Sequence, residues 1–73
     1  MTQVYFHCSN TRKVFVDHAG ALVNDLVEAR DHAARVVRTL TEAGRIEDWS
    51  DWVVHVSNDH GDELFVVPFA FVP

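Results

Sequence analysis

Residues 51–69 read DWVVHVSNDHGDELFVVPF, and the fold turns on what this stretch forms. Trp52, Val54 and Val56 alternate with Val53, His55 and Ser57, the two-residue period of a strand whose side chains point to opposite faces. Asn58-Asp59-His60-Gly61 is turn chemistry: Asn suits the first position of a type I turn, and Gly the left-handed position that closes a bulged hairpin. A second apolar run, Glu63 to Val67, ends at Pro68, which has no amide to give to a ladder. The stretch is therefore read as a hairpin over Asp51–Ser57 and Glu63–Val67, with His60 at its tip. Its two histidines and four acidic residues also raise the question of a metal or catalytic centre.

Upstream, Gln3 to Cys8 alternates as well, with Val4, Phe6 and Cys8 on one face and Tyr5 and His7 on the other. The polar turn Ser9-Asn10-Thr11-Arg12 leads to a second short run, Lys13 to Asp17, and the small gap predicts another hairpin. A loop around Gly20 then reaches Asp25, a good N-cap with Glu28 three residues on, the arrangement of a capping box. From Leu26, Ala29, Ala33, Val36, Val37 and Leu40 form one stripe at helical spacing, and Gly44 is the expected C-cap.

With 73 residues the chain has room for one domain, 1–73, and one small core, because folding at this size hides only about 60% of the extended chain's surface. Such chains usually recruit support from disulfides, a metal or association. Cys8 is the only cysteine, so no disulfide forms within the chain, and a lone thiol fits a reducing, cytoplasmic setting. No apolar run approaches the length of a bilayer span, so no membrane role is expected. The net charge of −5, from six basic and eleven acidic residues, has the wrong sign for a phosphate-backbone binder. Nucleic acid is therefore not an expected partner, although the arginines Arg30, Arg35, Arg38 and Arg45 keep that alternative on the page.

The order ββαββ implies an α+β domain: a four-stranded sheet with one helix packed on one face. Val4, Phe6, Val14, Val16, Trp52, Val54, Val56, Leu64 and Val66 are expected to face the helix. Because the first and fourth strands are the most apolar on both faces, a β-grasp-like order 2-1-4-3 is favoured, with the all-antiparallel 2-1-3-4 as its rival. The far face would then carry Tyr5, His7, Phe15, Val53, His55, Phe65 and Val67, a patch more apolar than a soluble monomer usually exposes. A second copy of the chain is the simplest cover, and the apolar tail from Phe69 folding back is the competing one.

No catalytic residues are assigned. His7 and His55 share the far face, and a divalent-metal site or a small hydrolase built on them is the alternative function. No third ligand stands beside them, and two histidines fall short of a usual zinc site. Asp59, His60, Asp62 and Glu63 lack the ligand spacing of a calcium loop. Cys8 points to the core, where a thiol acts as a small hydrophobe, and neither Ser9 nor Ser50 sits in a recognisable nucleophile motif. No cofactor is expected.

Tyr5-Phe6-His7, Asp17 and Gly20, the helix start Asp25-Leu26 with Ala29-Arg30, Trp52, Gly61 and Val67-Pro68-Phe69 together resemble a family of small uncharacterised alphaproteobacterial proteins, a domain of unknown function. The resemblance covers nearly the whole chain and implies a shared fold, with no catalytic residues to carry over. The expected role is a small bacterial interaction module, homodimeric through the far sheet face or a sheet edge, with a further protein partner unidentified.

Overall fold

The computed structural model describes residues 1–43 and 49–72. Five strands, one α-helix and a short 3₁₀ turn follow one another: β1 (Thr2–Ser9), β2 (Val14–Phe15), β3 (Ala21–Val23), α1 (Leu26–Thr41), β4 (Val53–Asn58), β5 (Glu63–Pro68) and the turn Phe69–Phe71. β1 is paired along both edges. On one side β4 runs antiparallel to it from Val4↔Asn58 to Ser9↔Val53. On the other, β2 takes Cys8 and Ser9 while β3 takes Thr2 to Val4. The sheet order is β2-β1-β4-β5, with β3 beside β2 on the same edge of β1.

This corrects two expectations. The segment around Gly20 contains a fifth strand, too short for any periodicity to announce it. The β-grasp-like order does not form either: the last strand lies at the sheet edge, and every pairing is antiparallel. Pro68 and a register shift between Val56 and Ser57 mark the β5 ladder, and both features suit an edge strand better than a central one.

Helix α1 starts where the capping residues place it. The Asp25 carboxylate accepts from the Glu28 amide at 2.8 Å, while Glu28 reaches back to the side-chain amide of Asn24 at 2.9 Å. Ala29, Ala33 and Val37 are buried, with Val36 and Leu40 packed at the margin. The two alanines let the helix lie close to the sheet. Thr41 is the last helical residue, and the expected cap Gly44 lies outside the described residues.

The core consists of those helix positions against Val4, Phe6 and Cys8 of β1, Trp52, Val54 and Val56 on the β4 side, Val23 of β3 and Phe69. Two strands carry the opposite phase from that expected. In β2, Phe15 pairs with Cys8 and so shares its core face, stacking on Trp52 at 5.0 Å. Val14 and Val16 are left 59% and 52% exposed. The turn sets this register: the Asn10 side chain accepts from the amides of Arg12 and Lys13, and the Asn10 amide donates to the Lys13 carbonyl. That places Val14 opposite Ser9 and decides every later side chain.

In β5 the cause is a bulge. Ser57 pairs with Glu63 but Val56 pairs with Phe65, so Leu64 is an extra residue in the ladder. Leu64 lines a hollow with Val4, Val23 and Ala29 on the helix side. Beyond the bulge, Phe65 and Val67 also point toward the helix and pack against the core, while Val66, opposite His55, points away.

The tail docks, but on the helix side of the sheet. The Phe69 amide donates to the Trp52 carbonyl at 2.9 Å, and its ring lies 5.7 Å from Trp49 and 6.1 Å from Trp52. Trp52 is fully buried, and its indole nitrogen has no hydrogen-bond partner among the described residues. Aromatic rings surround it instead. Because Phe69 is an anchor and Phe71, two residues on, is 79% exposed, the two should respond differently to truncation. Phe69→Ala should lose about 3–5 kcal/mol, enough to unfold a domain this small, whereas Phe71→Ala should stay within about 0.5 kcal/mol of the parent. Urea unfolding followed by tryptophan fluorescence measures both.

Candidate functional site

The gap between β2 and β3 leaves the middle of one β1 edge without a strand. A side chain fills it. Asp17, in the β2–β3 loop, accepts from the Phe6 amide through Oδ2 at 3.1 Å, and from the amides of Ala19 and Gly20 through Oδ1 at 3.0 and 3.1 Å. Its own amide donates to Nδ1 of His7 at 3.0 Å. Partial burial pushes the Asp17 carboxyl up, but the amide donors of Gly20, Phe6 and Ala19, with His7 nearby, outweigh it and hold the group below its ordinary value. Gly20 adopts φ 68°, and a Cβ there would lie 2.6 Å from the Val4 carbonyl oxygen. Glycine is required at this position both by the left-handed backbone and by the approach to β1.

The clamp also defines His7. Because Nδ1 accepts a backbone proton, the neutral ring carries its hydrogen on Nε2. The ring stacks with Tyr5 at 6.2 Å, nearly parallel. His7 pairs directly with His55 across the β1–β4 ladder, so the sheet order makes the two histidines neighbours.

His55 is the centre of a line of polar groups that crosses three strands. Its Nε2 lies 3.0 Å from Oγ of Ser9 on β1, and its Nδ1 lies 2.5 Å from Oε1 of Glu63 on β5. Proton placement follows from the partners: a carboxylate can only accept, so Nδ1 carries the hydrogen and Nε2 accepts from the serine hydroxyl. Glu63 takes part because of the bulge. Two residues before core-facing Phe65, regular alternation would send it to the helix side; the extra residue Leu64 turns it to the far face.

Of the seven residues expected to form one far-face patch, Tyr5, His7, Val53 and His55 do share that face, while Phe15, Phe65 and Val67 do not. Phe15 lies on Trp52, the Arg30 guanidinium sits 6.0 Å from the Phe65 ring, and Val67 pairs with core Val54. The far face is therefore mixed, with Ser9, Ser57 and Glu63 among the histidines and Val14 and Val66 where Phe15, Phe65 and Val67 were expected. Ser9 was legible as the next member of the Tyr5, His7 alternation. Nothing short of the bulge could have brought in Glu63.

At the hairpin tip, the Asn58 side chain accepts from the amides of His60 and Asp62 at 2.9 and 3.0 Å. His60 and Asp59 form a loose, exposed contact at 3.7 Å. Among the described residues no group of three or more His, Cys, Asp or Glu side chains is placed to hold a metal ion. Among the described residues no helix is long and apolar enough to cross a membrane. Two hollows border the helix, one of about 410 Å³ over Phe6, Cys8, Phe15, His32 and Val36, and one of about 460 Å³ beside Arg30, Ala34 and Phe71.

Residues 3–70 match the model of a family described as a domain of unknown function, DUF6894, and the chain belongs to that family. No curated protein and no solved structure matches. The His7, Asp17 and Gly20 of the family resemblance are the residues that close the gap in the β1 edge.

Their loss should therefore register in stability. Asp17→Ala strands three amides, two of them in a partly wet loop, and should lower stability by about 1–2 kcal/mol. For a domain of this size that is roughly a 4–15 °C fall in Tm. Gly20→Ala should lower stability by at least about 1 kcal/mol. Because the Asp17 value is depressed in the folded state, its contribution is full above the unfolded value of about 3.9 and disappears as pH falls through the folded one. Melting curves from pH 6 down to about pH 2 should show the parent and Asp17→Ala converging at the acid end. Burial, followed by the nearby Asp17 charge, pushes the Cys8 thiol up to about 11, so iodoacetamide should leave it unmodified in the native protein and alkylate it in urea.

Proposed function

We propose that this DUF6894 chain is a small interaction module that pairs with a second copy of itself along the outer edge of β5. The observation that carries this reading is the state of that edge. Among the described residues β5 is paired only with β4, and no strand pairs with its other edge. Open edges are normally blunted by lysine, inward-pointing charge, a covering loop, proline or a bulge, and β5 has the last two, Pro68 and the bulge at Leu64, at its ends. Between Leu64 and Pro68 this one carries no charge. Leu64 and Val66 are each 40% exposed, and Phe71 lies beside Val66.

A second β5 running antiparallel would satisfy the free backbone groups through a two-fold axis, the commonest symmetry of association. It would also extend a core that is small for independent stability. The other end of the sheet is less available, because β2, β3 and the Asp17 loop already share that edge of β1. The far face does not support the pairing, since three of the five apolar residues expected there, Phe15, Phe65 and Val67, face the helix.

Light scattering should give twice the monomer mass at tens of micromolar. Val66→Lys, an edge charge at an exposed position, should give a folded monomer. A parent chain that stays monomeric at several hundred micromolar defeats the proposal.

The alternative reading, metal or hydrolytic chemistry at His7 and His55, divides on the geometry. A metal would have to displace Ser9, Glu63 or the Asp17 amide from ring nitrogens they already engage. Hydrolytic chemistry has a specific arrangement in its favour, the line from Ser9 through His55 to Glu63.

A further inference from the structure

We infer that Ser9 is an activated nucleophile, with His55 as its base and Glu63 as the group that orients the base, suited to short-chain carboxylic esters and similar acyl donors. The inference does not rest on association through β5, since the contacts from Ser9 to His55 and from His55 to Glu63 form within one chain.

A nucleophilic hydroxyl needs a base within hydrogen-bond reach and a third group that fixes the base in the correct tautomer. Such constellations are recognised by geometry and roles and not by order in the chain. Ser9 Oγ to His55 Nε2 is 3.0 Å, and His55 Nδ1 to Glu63 Oε1 is 2.5 Å. Both contacts fall on the nitrogens the roles demand. The three residues come from three adjacent strands, β1, β4 and β5, so their spacing is held by ladder hydrogen bonds and not by loop conformation. The bulge at Leu64 is what turns Glu63 to this face. Such irregularities recur next to active sites, where they re-aim a side chain.

The neighbours of Ser9 indicate the substrate class. Its direct cross-strand partners are Val14 on β2 and Val53 on β4, so an acyl group at Ser9 has an aliphatic residue on either side. Neither hollow bordering the helix is lined by Ser9 or His55, and a shallow setting suits a chain of a few carbons. His7, two residues along β1 and opposite His55, presents Nε2–H on the same face as a neutral donor for developing oxyanion charge, a role a neutral imidazole can take.

The chemistry balances as an acyl transfer. As Ser9 Oγ bonds to the ester carbonyl carbon, its proton passes to His55 Nε2, and Glu63 holds the imidazolium that results. Collapse of the tetrahedral adduct breaks the bond to the leaving alcohol, which departs with the proton from His55. Water then attacks the acyl carbon, gives its proton to His55, and the serine oxygen recovers it. The sum is ester plus water to acid plus alcohol.

A fluorophosphonate probe tests the first step directly, because it loses fluoride on forming a bond to an activated serine oxygen. Wild-type protein should gain a single adduct, which peptide mapping should place on Ser9. The labelling rate should fall about 100-fold in His55→Ala, the low end of what a general base contributes, and should fall also in Glu63→Gln, whose amide no longer holds the base in the correct tautomer. Hydrolysis of p-nitrophenyl butyrate should be lost in Ser9→Ala, with folding checked by melting temperature. No adduct on wild-type protein, an adduct elsewhere, or equal ester hydrolysis by wild type and a folded Ser9→Ala overturns the inference. The mapping result on wild type stands even if a variant does not fold.

Discussion

The structure depends on the pairing of β1 along both its edges. One edge is straightforward, since β4 lies against it over six residue pairs. The other has no strand long enough to cover it. Two fragments, β2 and β3, take its ends, and a carboxylate takes the middle. A buried or half-buried backbone amide without a partner costs about as much as a lost hydrogen bond, so Asp17 does for Phe6 what a third ladder residue would have done. Gly20 then brings the chain back against β1 in a conformation and at a distance that other residues do not tolerate.

That arrangement has consequences on both faces of the sheet. Toward the helix, it holds Phe6 and Cys8 in register with Val54 and Val56, and the two alanines of α1 can approach the layer they form. Away from the helix, it locks His7 through Nδ1 and sets it opposite His55. The core and the polar line are thus two products of one set of backbone pairings. Polar groups on a strand can be positioned as well as a core when the ladder beneath them is closed on both sides.

The edge of β5 and the line through His55 call for different readings of the same irregularity. By adding one residue to the ladder, the bulge at Leu64 places Leu64 and Phe65 successively on the helix side and sends Glu63 to the other. It bends the strand that forms the open edge and completes the carboxylate–imidazole–hydroxyl line on the far face. A single inserted residue therefore shapes both the open edge and the polar line on the far face.

Alternation alone determined β1 and β4, down to which residues face the core, because each has its apolar side chains on one face and meets two neighbours. Capping chemistry determined where α1 begins, since Asp25 and Glu28 satisfy amides within their own turn. Both are local or strictly periodic properties, and a sequence displays those directly. Tertiary structure decided the rest. β2 is two residues long, so the Asn10 turn and not its own pattern chose Phe15 for the core; β5 lost its phase at a bulge that no residue type marks; β3 exists only because β1 offers it an edge. The joining of Ser9, His55 and Glu63 also belongs to the tertiary structure, because residues 9 and 55 meet only once β4 pairs with β1, and residue 63 only once an extra residue has turned it over.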